Sequence, residues 1–83
     1  MREDITMREQ IIALLENINP GIDYENQTRM IDDHVLESME LLQLVSDLSD
    51  EFDIEITVMH IKPEHFQSVE TICKLVEQIM GED

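Results

Sequence analysis

Cations are scarce in this sequence. Its 83 residues include 5 Lys and Arg against 20 Asp and Glu, a formal net charge of −15. Such a balance repels a phosphate backbone, which argues against nucleic acid as a partner, and it repels an anionic membrane surface equally. Cysteine occurs once, at Cys73, so no intramolecular disulfide can form. With only Gly21 and Gly81 available, no glycine-rich phosphate loop can be built. Tryptophan is absent and there are only one Tyr and two Phe, so a core must be mostly aliphatic. No run is long and apolar enough to cross a membrane. The start, Met1-Arg2-Glu3-Asp4, lacks the basic and apolar regions of a signal peptide. The cytoplasm is therefore the expected compartment.

High charge on a short chain can prevent folding. Here, however, 42 % of residues are hydrophobic, and they are periodic, which predicts a folded chain. The expected organisation is one domain over residues 1–83. A domain this small buries only roughly 60–65 % of its unfolded surface and has little room for a deep catalytic cleft. A module acted on by other proteins is favoured over an enzyme, with a monomer as the default state.

Met7, Ile11, Leu14, Leu15 and Ile18 recur at helical spacing and predict a first helix from about Asp4 to Ile18. Thr6 and Glu9 have the spacing of a capping box, and Asn19-Pro20-Gly21 ends the helix. Residues 19 to about 37 form a long polar connection. Its apolar anchors, Ile22, Tyr24, Met30, Ile31, Val35 and Leu36, predict that it is tethered to the core.

A second helix is expected over Ser38–Phe52. Leu41, Leu44, Val45, Leu48 and Phe52 fall on one stripe, opposite Glu40, Gln43, Asp47, Asp50 and Glu51. Met39 and Leu42 lie off the core stripe, between Ser38 and the acidic side. Asp53–Val58 alternates like a strand, but a lone strand has no pairing partner here. An extended connection with Ile54 and Ile56 inward is expected instead.

Lys62-Pro63-Glu64-His65-Phe66 suits a short helical turn, since proline is favoured at a first helical position. Ser68 should cap a last helix to about Met80. Its expected buried face is Val69, Ile72, Cys73, Val76, Ile79 and Met80, with Gly81 at the stop. The fold class predicted is all-α: a small antiparallel bundle of four helices, three long and one short.

Most catalytic constellations are missing. No serine sits in a G-x-S-x-G elbow. One Cys and the scattered His34, His60 and His65 give no zinc spacing, and the acids lack EF-hand spacing, so no metal site is expected. Cys73, at an expected core position, reads as a structural thiol, because an apolar setting makes a thiol inert.

Charge is distributed more informatively. No Lys or Arg occurs between Arg29 and Lys62, an interval with nine acids. A helix with one sign on its exposed face forgoes the i,i+4 ion pairs that solvated helices commonly use. That pattern, with Met39 and Leu42 beside it, points to a docking surface for a basic partner. Ser38 alone reads as a helix N-cap. Its position also suits a phosphate, which free N–H groups and a positive helix end stabilise.

In the stretch Ile31-Asp32-Asp33-His34-Val35-Leu36-Glu37-Ser38-Met39-Glu40-Leu41-Leu42, the sequence resembles the acyl carrier and peptidyl carrier protein family. That family has a short acidic-Ser-aliphatic motif, typically Asp-Ser-Leu, at the start of an acidic second helix. The run Leu44–Ile56, ending in Phe52 and Ile54-x-Ile56, and the stretch Ser68–Ile72 are similar to the family in order and spacing. Glu37 replaces the usual Asp, Met39 the usual Leu and His34 a common Gly, and Gln43 stands where an acid is common. Met39 is also similar to the D-alanyl carrier branch.

The resemblance implies an acyl-carrier-like bundle and a modified Ser38, to which a phosphopantetheinyl transferase attaches 4′-phosphopantetheine from coenzyme A. It implies a carrier, not an enzyme, that holds acyl or aminoacyl groups as thioesters. Fatty acyl, polyketide, amino acid and D-alanine carriers share these motifs. The implied partners are loading and processing enzymes with basic docking surfaces, met through Glu37, Met39, Glu40, Leu42, Asp47 and Asp50. The alternative is an acidic helical adaptor with the same fold that binds partners unmodified.

Overall fold

The computed structural model of the protein describes residues 6–81. These contain three α-helices: α1 (Met7–Ile18), α2 (Ser38–Phe52) and α3 (Val69–Met80). Two single turns of 3-10 helix, Val58–His60 and Pro63–His65, lie between α2 and α3, and no strand occurs among the described residues. The helix expected to begin near Asp4 begins at Met7. Thr6 is its N-cap: Thr6 Oγ1 accepts from the Glu9 N–H at 3.1 Å while the Thr6 N–H donates to Glu9 Oε1 at 3.0 Å. Asp4 lies outside the described residues.

α1 packs on both α2 and α3, and α3 also packs on the Pro63–His65 turn. Fourteen buried apolar residues form one cluster to which every α-helix contributes. The long segment between α1 and α2 joins it through Tyr24, Met30, Val35 and Leu36, as its apolar anchors predicted, with Ile22 and Ile31 half-buried against it. Polar ties hold the segment at several points. The Tyr24 hydroxyl donates to the carbonyls of Leu15 and Asn19 at the end of α1. Asn19 Nδ2 donates to the Val35 carbonyl at 2.9 Å. The Met30 N–H donates to the Gln67 carbonyl at 2.9 Å, and the Ile31 N–H to Gln67 Oε1 at 3.1 Å. The backbone leading into α2 is thereby fixed to the C-cap residue of α1 and to Gln67, just before the N-cap of α3.

The short helical turn expected over Lys62–Phe66 is a single 3-10 turn, Pro63–His65, with proline at its start, and a second turn, Val58–His60, stands where an extended connection was expected to end. Pro63 disfavours helical backbone in the residue before it. Lys62 is accordingly extended (φ −127°, ψ 142°) and keeps the turns from fusing. Ile54 and Ile56 do pack inward.

The buried face of α3 is rotated from the expected one. Leu75 is 1 % exposed, whereas Met80 is 49 % exposed and Cys73 is only half-buried. At about 100° per residue, Leu75 and Met80 lie on opposite edges of a broad apolar stripe. The fold buries the Leu75 edge. Burial still pushes the Cys73 thiol up from its ordinary pKa, partly offset by Arg8.

Candidate functional site

The approach to α2 is a tight helical turn closed by a left-handed residue. The Val35 N–H donates to the Met30 carbonyl at 2.8 Å and the His34 N–H to the Ile31 carbonyl at 3.1 Å. With His34 at φ +62°, this is the hydrogen-bond pattern of a Schellman closure. Met30 and Val35, its usual pair of apolar contacts, are both in the core. Glycine takes the left-handed position most cheaply. A non-glycine residue there costs on the order of 1–2 kcal/mol, and histidine is one of the types that tolerates it.

Glu37, not Ser38, is the N-cap of α2. Its backbone is extended (φ −101°, ψ 178°), and its N–H donates to Glu40 Oε1 at 2.9 Å. Ser38 is the first helical residue and is exposed. Its hydroxyl makes no hydrogen bond among the described residues. The N-cap position, the ordinary place for a serine at a helix start, is thus held by its neighbour. An open cleft of about 480 Å³ adjoins Ser38, lined by Ile31, His34, Leu36, Glu37, Ser38 and Leu41.

The other expected site residues spread along α2. Asp50 is twelve residues beyond Ser38, or about 18 Å along the axis. Met39 is 80 % exposed and Leu42 58 % exposed, large values for apolar side chains in a small chain. Glu40 is half-buried and occupied by the Glu37 N–H. Asp47 is half-buried and accepts from Gln43 Nε2 at 3.0 Å. Asp50 is exposed.

No cation pairs with an α2 carboxylate among the described residues. Their ion pairs lie elsewhere, Arg8 with Glu25 and Arg29 with Asp32 and Asp33. Ser38 and Glu37 meet in the cleft; Met39, Glu40, Leu42, Asp47 and Asp50 do not line it. Sequence reasoning treated His34 only as a departure from glycine. Its place in the cleft follows from the left-handed turn.

No group of three or more metal-ligating side chains occurs among the described residues. No helix among them is long and apolar enough to cross a membrane. No protein-family model matches the chain, and no curated protein matches it.

Proposed function

We propose that the protein is a carrier whose Ser38 is the attachment point for 4′-phosphopantetheine. The observation that carries this reading is the state of Ser38: exposed, placed after the N-cap residue Glu37 with no hydroxyl hydrogen bond among the described residues, and set at the edge of an open cleft. A bulky arm fits such a residue without displacing any bond the fold uses. The order of elements supports an acyl-carrier-like bundle: a long tethered connection before α2, and short irregular turns before α3.

In the attachment step, Ser38 Oγ gives its proton to a base on the transferase and bonds the pantetheine phosphorus of coenzyme A. The pyrophosphate P–O bond breaks and adenosine 3′,5′-bisphosphate leaves. The positive end of α2 favours the new anion, while Glu37 and Glu40 oppose it, so solvent exposure is needed for screening. Once bound, the arm supplies a terminal thiol that carries acyl or aminoacyl groups as thioesters. The chain itself tethers and presents the cargo. A tether turns each encounter with an enzyme into a high-local-concentration event.

Met39 and Leu42 offer a small apolar centre, rimmed by Glu37, Glu40, Asp47 and Asp50, to enzymes with basic surfaces. Screened charge contacts over a small patch give fast, weak association, which a carrier that must leave each enzyme requires. The reading places the protein in the cytoplasm as a monomer.

The test is intact mass after incubation with coenzyme A and a broad-specificity transferase. The mass rises by one phosphopantetheine in the wild type and not in Ser38→Ala. No rise, or a rise that survives Ser38→Ala, overturns the reading and leaves the unmodified adaptor.

A further inference from the structure

We infer that His34 is a positioning residue for the arm, donating an imidazole N–H to the phosphodiester on Ser38. The inference rests on the reading of Ser38 above and adds a role to a residue that is otherwise only a backbone oddity. Three observations carry it. Of the six residues lining the cleft, only His34 has a side-chain N–H. The rest are aliphatic, the acidic Glu37 and Ser38 itself. The nearest arginine in sequence, Arg29, is engaged by Asp32 at 4.0 Å and Asp33 at 3.6 Å. The His34 imidazole is exposed and makes no hydrogen bond or ion pair among the described residues.

An anion on Ser38 faces Glu37 in the cleft and Glu40 in the first turn of α2. A side-chain donor is therefore worth most at this spot, and His34, at the left-handed turn before α2, is the lining residue that carries a side-chain N–H. Imidazole has an N–H to offer in either protonation state. A hydrogen bond to an ionised phosphate is stronger than one between neutral groups. Glycine at position 34 would make the same turn with less strain and leave the phosphodiester with no side-chain donor from the cleft.

The experiment uses the full chain labelled with 15N, before and after loading with coenzyme A and the transferase. Intact mass reports attachment, and the imidazole 15N and phosphodiester 31P resonances report the contact. On loading, the ring resonances of His34 should move while those of His65 stay. The 31P resonance of loaded His34→Gly should shift from wild type, and His34→Gln, which restores an N–H, should return towards it. A gain in mass with unmoved His34 resonances, or a 31P signal indifferent to His34→Gly, overturns the inference and leaves the Ser38 reading intact. Absence of a mass gain overturns both. The wild-type comparison needs no variant, so a poorly folding substitution cannot rescue the idea.

Discussion

α2 fully buries only Leu44 and Leu48 of its 15 residues, whereas α3 buries Val69, Ile72, Leu75, Val76 and Ile79 of its 12. Each fully buried aliphatic side chain contributes roughly 1.5–3 kcal/mol, so α3 is the more strongly anchored helix. α2 sits on the core by a narrow stripe, with Leu41, Val45 and Phe52 half-buried at its edges. Its remaining surface holds acids that make no ion pair among the described residues, and two exposed apolar side chains. The helix starts differ in the same sense. Ser68 caps α3, accepting from the Thr71 N–H at 3.1 Å, while at α2 the N-cap position belongs to Glu37 and Ser38 is the first helical residue. One helix uses its chemistry to hold the fold; the other keeps it available to something outside.

The sharpest way to break this contrast is core truncation. Ile72→Ala should lower unfolding stability by about 2–5 kcal/mol in urea titrations. Leu42→Ala should change it by less than about 0.5 kcal/mol, because the side chain is already in solvent. Equal losses would mean that α2 is anchored as strongly as α3.

The two serines give the next test. Ser68→Ala should cost about 1 kcal/mol, and Ser38→Ala less than about 0.5 kcal/mol. A costly Ser38→Ala would return that serine to a structural role.

Tyr24 ties α1 to the segment that leads into α2, and Tyr24→Phe should cost about 1 kcal/mol. Its phenol is held above the ordinary tyrosine pKa by burial first, then by Glu16 and Glu40. The contribution of the protonated phenol is fully present below about pH 10, the unfolded value. It is lost as pH rises through the higher folded value. Stability measured above pH 10 should therefore fall more in wild type than in Tyr24→Phe.

The smallest effect concerns docking. Asp50→Lys should weaken association with a basic partner enzyme by roughly two- to fivefold at low salt, as one exposed charge contact contributes under about 1 kcal/mol. Added salt should shrink that difference. Asp50 is a cleaner probe than Glu40 or Asp47, since those carboxylates also accept the Glu37 N–H and the Gln43 amide. Association indifferent to salt and to Asp50→Lys would remove the acidic face from the interface.

Helix positions were legible because apolar spacing and local punctuation agree. Ser38 to Phe52 and Ser68 to Met80 can be read from the residues, as can the Thr6–Glu9 box. The rest was hidden for specific reasons. Glutamate is not a favoured N-cap, so Glu37 was passed over for its serine neighbour. The Val58–His60 turn rests on Thr57 Oγ1 accepting from the Met59 N–H at 3.2 Å, a local bond that alternating apolar residues obscure. Histidine carries little turn signal, so the left-handed closure at His34 shows only in the backbone.

By itself, the sequence determined three amphipathic helices, an aliphatic core and a one-signed face on α2, because spacing and charge are local properties of the chain. The tertiary structure alone decided which edge of α3 is buried, who caps α2 and what lines the cleft beside Ser38. Those depend on how the elements pack on one another and on how the 29–37 backbone is tied to Asn19 and Gln67. Contacts between residues far apart in the chain set them, and periodicity carries no record of such contacts.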